Sequence, residues 1–364
     1  MKAVVLVGGE GTRLRPLTET IPKPLLPFMN RPFLAHVLDQ LATHGVDEVI
    51  LSSFHLEEEF RSFLDEHPAP PAITWITEAR PLGTCGAIAG ARHLLDDTFL
   101  VLNGDVVTDL DLSALVAVHR DRAAVATVAL HRVEDARPYG LVETTPEGRV
   151  LAFREKPADP VPGEVNAGTY VLEPRVLDGV PGGVAVSIER ETYPALIAAG
   201  EPVFALGSDA YWRDLGTPED YLQAHVDALD GLVAGREYPR PLLGEGGHVD
   251  PSAVVGEHAV LGPGVRVAAR AVVERSVLHR GAIVGRGAAV LDSVLGPGVV
   301  VGDGAEVTGS VLAEEAGVGP GARIAEARLG PGRRAPGGGV RGGSSPRGAE
   351  AGGRTASEPP SGRD

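Results

Sequence analysis

From residue 249 to about residue 329 an aliphatic side chain returns at every sixth position, a period that few folds accept. Val255, Leu261, Val267 and Val273 are six apart. The series resumes at Val284 and Val290, at Val301 and Val307, and at Val318 and Ile324. Each intervening gap of eleven is one step of six plus one of five. Short residues stand four places after most of these positions, at Ala259, Val265, Ala271, Ala288, Ala305 and Ala322. A helix repeats every ~3.6 residues and an ordinary strand every ~2, so neither accounts for the pattern. The regular spacing speaks against a merely low-complexity Gly/Val segment, and the repeat amounts to about four coils' worth of sequence.

The preceding 230 residues follow another rhythm. Apolar, largely β-branched runs at 3–7, 49–51, 73–76 and 99–102 predict buried strands. Helical spacing over 33–43, 57–64 and 87–95 predicts helices between them, the first ended by Gly45. Such alternation implies right-handed crossovers and a mostly parallel sheet, with ligands beyond the carboxyl ends of the strands. Gly8 and Asp105 each follow such a strand, which places them near one another. From Val125 shorter strand-like segments (125–130, 140–143, 150–153, 169–172) predict an added mixed-sheet region that closes over a ligand, and 218–232 reads as a helix. The expected fold class is α/β: a Rossmann-like domain over 1–234, a Gly/Pro-rich linker over 235–248, the coiled repeat over 249–329, and a disordered tail over 330–364, too poor in large apolar residues to bury a core. The repeat resembles the hexapeptide-repeat fold, a left-handed parallel β-helix.

Charge and cysteine content narrow the partners. A net charge of −16 with no Lys/Arg-rich run argues against nucleic acid. No stretch approaches the ~20 apolar residues of a membrane span. The N-terminal apolar run is too short for a secretion signal, and a single cysteine, Cys85, rules out an intrachain disulfide; both point to the cytoplasm. An acidic protein that binds anions must concentrate its cations locally or use a metal.

The stretch from Gly8 to Pro27 does concentrate them. Directly after the strand Ala3-Val4-Val5-Leu6-Val7 come Gly8, Gly9 and Gly11, then Arg13 and Arg15, then Lys23 between Pro22 and Pro24. Glycines let a ligand approach exposed N–H groups, and cations on a proline-stiffened backbone suit a polyphosphate. Neither the P-loop nor the Gly-x-Gly-x-x-Gly fingerprint fits, since Lys-Ser/Thr does not close the glycines and Leu14 stands where a third glycine would be.

Gly-Gly-Glu-Gly-Thr-Arg-Leu-Arg-Pro-Leu-Thr followed by Pro-Lys-Pro-Leu-Leu-Pro resembles the signature of the sugar nucleotidylyltransferases, which join a sugar 1-phosphate to a nucleoside triphosphate and release pyrophosphate. Later segments agree: Leu102-Asn103-Gly104-Asp105, Tyr139-Gly140, Glu155-Lys156-Pro157, Val165-Asn166-Ala167-Gly168 and Tyr211-Trp212-Arg213-Asp214. The resemblance implies Arg13 and Lys23 as the catalytic cations. It implies a nucleotide site at Leu6, Gly8, Gly9, Gly11, Thr12, Glu78 and Gly83. It implies a sugar-phosphate site at Gly140, Glu155, Lys156, Asn166 and Gly168, and Asp105 and Asp214 as ligands of Mg²⁺. The wording of 81–84, 166–174 and Ser187-Ile188-Glu189-Arg190-Glu191 looks most like the mannose-1-phosphate guanylyltransferase branch, which would make GTP and mannose 1-phosphate the substrates. Cys85, where that branch often has alanine, leaves room for sensitivity to thiol reagents.

The chemistry fits these parts. A sugar phosphate is mostly a dianion at neutral pH and needs no general base. Two anions must instead be held together and the added charge stabilised in line. Three alternatives stay open: glucose 1-phosphate with dTTP or UTP; a β-helix that transfers acyl groups through His258 or His279; and a non-catalytic sugar-nucleotide sensor. The β-helix most simply serves assembly into a homo-oligomer.

Overall fold

The structure is a computed structural model that describes residues 1–53, 57–66, 71–155 and 159–338. The strands and helices of the first domain are β1 (Lys2–Leu6), α1 (Phe33–Thr43), β2 (Glu48–Ser53), α2 (Glu57–Glu66), β3 (Ala72–Thr77), α3 (Gly83–Gly90), β4 (Phe99–Asn103), β5 (Val106–Thr108), α4 (Leu112–Asp121), β6 (Ala126–Val133), β7 (Gly140–Thr144), β8 (Val150–Glu155), β9 (Gly163–Leu172), α5 (Tyr193–Ala198), β10 (Val203–Ser208), β11 (Trp212–Asp214) and α6 (Pro218–Leu229). Among the described residues nine strands form one sheet in the order β8-β7-β9-β4-β1-β2-β3, with β6 joining β9 to β10. β4, β1, β2 and β3 run parallel, as the strand–helix alternation requires. β9 pairs antiparallel with β4, so the later strands extend the same sheet rather than forming a separate one. Successive residues of β1 bury on opposite faces: Ala3 and Val5 in one core, Val4 in the other. That two-sided burial explains why the strand reads as an unbroken apolar run.

α3 starts at Gly83, four residues before the helix expected from spacing. Gly83 turns the chain at φ +66°, and the N–H groups of Cys85 and Gly86 both donate to Val186 O, at 2.9 and 3.2 Å. The partner that satisfies this helix start lies a hundred residues away and leaves no local signal.

The second domain is the expected left-handed parallel β-helix: three parallel sheets of six, six and five strands, each strand two or three residues long. It runs from Leu242–Leu243 to Arg334–Ala335, past both ends of the 249–329 span, with five complete coils rather than four. Its first coil begins inside the stretch read as linker; Leu243, Val249 and Val255 already stand six apart there, but Gly244-Glu245-Gly246-Gly247 gives the segment the composition of a linker. Residues 339–364, most of the expected tail, lie outside the described residues. From Leu261 to Ile324 the repeat's inward aliphatics are at most 5% exposed, and Ala259, Ala271, Ala288, Ala305 and Ala322 are at 0%; Val255, in the first coil, is partly buried. Gly302 is needed where coils touch: a Cβ there would lie 2.6 Å from Pro320 N.

One outer face of the β-helix is not outer at all. Leu261, Leu278, Leu295 and Leu312 point into the coils. Their neighbours Val260, Val277, Val294 and Val311 point out and join the core of the first domain with Tyr221, Leu222 and Leu229. Beside this seam the Tyr221 hydroxyl donates to Pro27 O, so His279 Nε2, 3.0 Å away, must donate to Tyr221. Burial holds the rings of His279, His225 and His36 neutral, lowering them to about 3, about 4 and about 4.

Two outcomes are expected from this seam. Val294→Asp puts an unpaired charge into a shared core and should cost about 3–5 kcal/mol in denaturant unfolding; a loss below about 1 kcal/mol would mean that the face is open to water. The histidines titrate near 6.5 when unfolded but lower when folded, so the unfolded chain binds more protons and stability falls as pH drops below about 6.5. His279→Gln should remove about one proton from that dependence near pH 5, read from unfolding free energies against pH. An unchanged slope would contradict a neutral buried ring.

Candidate active site

A cavity of about 510 Å³ opens at the carboxyl ends of β1 and β4. Leu6, Gly8, Gly9, Glu78 and Gly83 line it, and so do Lys23 and Asp105. Gly8 and Asp105 therefore meet in one site, as the parallel topology requires. Gly11 and Thr12 lie just outside it, where the chain makes a 3-10 turn over Thr12–Leu14. Gly11 enters that turn at φ +60°, and a Cβ there would lie 2.9 Å from Thr18 Cγ2, so glycine is required. Thr18 Oγ1 donates to Gly11 O at 2.8 Å and ties the loop back on itself.

Charge sits at the mouth of the cavity. Lys23, only 8% exposed, places Nζ 2.7 Å from Asp105 Oδ2 and 3.5 Å from Asp214 Oδ1. Arg13 Nη2 is 3.4 Å from Asp214 Oδ2. The two aspartates are brought together by a small antiparallel ribbon: β11 pairs with β5, Asp214 stands opposite Val106, and Leu215 N donates to Asp105 O at 3.0 Å. Burial and the Asp105 charge push the Asp214 carboxyl above its usual range, while Lys23 and Arg13 pull the other way. Gly216 keeps the corner open, since a Cβ there would lie 2.8 Å from Asp214 Oδ2 and 2.9 Å from Arg13 Nη1. Arg15 points elsewhere, 4.0 Å from Glu10. Among the described residues no group of three or more His, Cys, Asp or Glu side chains is arranged to hold a metal; the acidic pair is the available donor set.

Glu78 is buried, and both carboxylate oxygens are engaged. Oε1 accepts from Ser52 Oγ at 2.8 Å and Oε2 from Leu82 N at 3.1 Å. It braces the Pro81–Gly83 segment from below. Asn166 is likewise held: its Nδ2 donates to Tyr170 Oη at 2.7 Å, and its Oδ1 accepts from Gly168 N at 2.9 Å. Gly168, at φ +75°, lies against Asn103 of the cavity wall. Gly140 opens β7, Glu155 ends β8, and Lys156 lies outside the described residues. Cys85 is fully buried, and burial pushes its thiol up, so the expected sensitivity to thiol reagents is not supported.

Sequence reasoning missed two groups. Trp212 stacks on His131, meets Tyr139 edge-on and donates Nε1–H to Ala167 O at 2.9 Å, giving the Asn166–Gly168 segment an aromatic floor. Glu189 accepts from Tyr170 at 3.1 Å with Oε1 and from Thr84 at 3.1 Å and Ser187 at 2.8 Å with Oε2. It thereby joins the loop under the cavity to the strand that carries Asn166. The Ser-Ile-Glu wording was its only sequence signal. The β-helix histidines have other roles: His279 is buried in the seam, and His258 pairs with Asp230 at 2.9 Å.

Removing the Glu78 carboxylate strands the Ser52 hydroxyl and the Leu82 N–H in a buried place. Glu78→Ala should therefore cost about 1–3 kcal/mol in thermal or denaturant melts. A neutral result would mean that water fills the gap.

The nucleotidyl transferase profile matches residues 2–231, and the GMPPB C-terminal domain profile matches residues 239–334. The mannose-1-phosphate guanylyltransferase of Mycobacterium tuberculosis (strain ATCC 25618 / H37Rv) is 42% identical over 302 residues, covering 75% of this chain and 83% of that protein. A UTP–glucose-1-phosphate uridylyltransferase of Synechocystis is 36% identical over 256 residues, 66% of each chain. Among solved structures, HddC from Yersinia pseudotuberculosis, crystallised in complex with GMP-PN, superposes with a TM-score of 0.55 at 30% identity, covering 61% of this chain and 97% of that one. With a glycine loop, a cation cluster and a paired-aspartate ribbon on a parallel sheet, followed by a β-helix, the chain belongs to the nucleotidyl transferase family and, within it, to the mannose-1-phosphate guanylyltransferases.

Proposed function

We propose that the protein transfers GMP from GTP to mannose 1-phosphate, forming GDP-mannose and pyrophosphate. The observation that carries this reading is the cluster of Lys23, Arg13, Asp105 and Asp214 at the mouth of the glycine-loop cavity. The name of the mycobacterial relative and the GMP-PN complex of the Yersinia protein support the choice of base and sugar.

In this reading the triphosphate lies along the N–H groups of Gly8 and Gly9, with Gly11 and Thr12 shaping the turn beyond. The base rests on the Pro81–Gly83 segment that Glu78 braces, and Leu6 forms the floor beneath it. A phosphate oxygen of the sugar attacks the α-phosphorus and pyrophosphate leaves on the opposite side. Lys23 and Arg13 neutralise charge on the α-phosphate and on the leaving group. Asn166, Gly168, Gly140, Glu155 and Lys156 form the sugar-phosphate side. No residue need take a proton from the nucleophile.

The acidic pair fits a divalent cation, best Mg²⁺. Two carboxylates already share one cationic group, Lys23 Nζ, within 3.5 Å, and burial together with its acidic neighbour pushes Asp214 toward protonation. A hard ion held by one or two carboxylates, waters and phosphate oxygens suits such a donor set. When bound, it would polarise the α-phosphate and screen it from the aspartates. Lys23 would then be free to turn from the carboxylates to the substrate.

The reading also includes a cytoplasmic homo-oligomer assembled through the β-helix. Ile283 and Val300, adjacent on one outer sheet and 38% and 40% exposed, support an apolar contact there.

Pyrophosphate release should be measured with Mg²⁺ across a grid of nucleoside triphosphates and hexose 1-phosphates. The expected maximum is GTP with mannose 1-phosphate; a maximum at UTP or dTTP with glucose 1-phosphate would move the assignment to the uridylyl- or thymidylyltransferase reading. Asp105→Asn and Lys23→Met should each lower kcat by about a hundredfold or more, and chelation should abolish turnover. Full turnover by Asp105→Asn would remove the carboxylate from the mechanism.

A further inference from the structure

One outward column of the β-helix changes character at its end. Leu242, Val260, Val277, Val294, Val311 and Arg328 are successive partners across one sheet. The four valines are buried against the first domain. The last member is an arginine, and its guanidinium reaches the catalytic loop. Nη1 donates to Arg15 O at 3.1 Å and to Arg13 O at 3.4 Å, while Nη2 lies 3.5 Å from Glu219 Oε1 on the first turn of α6.

These carbonyls leave the end of a one-turn 3-10 helix. Its own bonds run from Leu14 N to Gly11 O and from Arg15 N to Thr12 O. So short a helix leaves its last carbonyls without partners inside the turn. A planar guanidinium can serve two carbonyls and a carboxylate together, which an ammonium cannot do in the same geometry. The same coil also runs close to the loop further along, since a Cβ at Gly330 would lie 3.5 Å from Glu19 Oε2. Arg13 leaves this turn with its side chain directed at Asp214.

We propose that Arg328 is a positioning residue for nucleotidyl transfer: it anchors the Thr12–Leu14 turn and so fixes where Arg13 stands. The inference rests on the reading of Arg13 as a triphosphate contact. It gives the β-helix an indirect part in the reaction, through one side chain of its last coil and the Arg13 that this side chain positions.

The test compares Arg328→Ala, Arg328→Lys, Arg13→Ala and the double variant Arg13→Ala/Arg328→Ala in the full chain. Arg328→Ala should melt near the wild-type temperature, since its side chain is half exposed. It should lose about tenfold in kcat/KM for the triphosphate, and Arg328→Lys should recover part of that. Amide exchange at residues 12–15 should quicken in Arg328→Ala. The double variant should be no slower than Arg13→Ala, because the anchor acts through Arg13. Wild-type kcat/KM and wild-type exchange in Arg328→Ala would overturn the proposal, and so would penalties that simply multiply in the double variant. If Arg328→Ala does not fold, Arg328→Gln and Arg328→Lys are read by the same criteria. If Arg13→Ala keeps full activity, the role proposed for Arg13 is wrong, and exchange at 12–15 still decides whether Arg328 anchors the turn.

Discussion

An ammonium group withdrawn from water needs anions beside it, and a carboxylate pushed against another carboxylate needs a cation. At the mouth of the cavity each requirement meets the other. Lys23 is almost wholly buried between Asp105 and Asp214, and removing one partner would leave an uncompensated charge. Much of the first domain can be read as the means of assembling this triad. β4 lies beside β1, so the end of one strand delivers Asp105 to the glycine loop that starts at the end of the other. The ribbon of β5 and β11 delivers Asp214 from more than a hundred residues downstream. The proline-flanked turn carries Lys23 back to the mouth of the cavity, beside Asp105.

A second dependence links the two domains. Valines on one face of the β-helix complete a core whose other members come from α1, α6 and the central strands. The loop that bears Arg13 and the helix that follows Asp214 are thus backed by a rigid stack rather than by solvent. Rigid backing suits a site whose chemistry consists mainly of holding anions in line.

Much of this arrangement was legible in the sequence. Unbroken apolar runs and a period of six depend only on which side chains must leave water, so β1, β4 and the coils announced themselves. The glycine loop was legible because the residue types it needs are rare together. What could not be read were features whose cause lies far away in the chain. α3 begins early because Val186 O accepts from its first N–H groups. Glu78 braces the Pro81–Gly83 segment through Ser52 and Leu82, a bond pattern that only the folded chain brings together. Glu189 acquires its role only when Tyr170 and Thr84 converge on it. The start of the first coil reads as linker because glycine and glutamate fill its corner, although Leu243 and Val249 already stand six apart. The outward valines were visible as letters, but nothing local distinguishes an aliphatic facing a neighbouring domain from one facing its own coil.

The serines at one corner of the β-helix show how its coils keep step. Ser276, Ser293 and Ser310 are buried and seventeen residues apart. Each hydroxyl accepts the N–H that begins the corresponding corner of the next coil, at 3.0–3.1 Å, from Ser293, Ser310 and Ala327. This is the corner where the step between inward aliphatics is five instead of six, as from Val273 to Leu278. Here a side chain stands in for a peptide unit that the chain omits. Length is thus adjusted between sheets, where no ladder is interrupted, and the in-and-out alternation of all three walls survives the omission. The solenoid can therefore vary in residues per turn without losing phase, and the face that meets the first domain stays aligned from one end of the stack to the other.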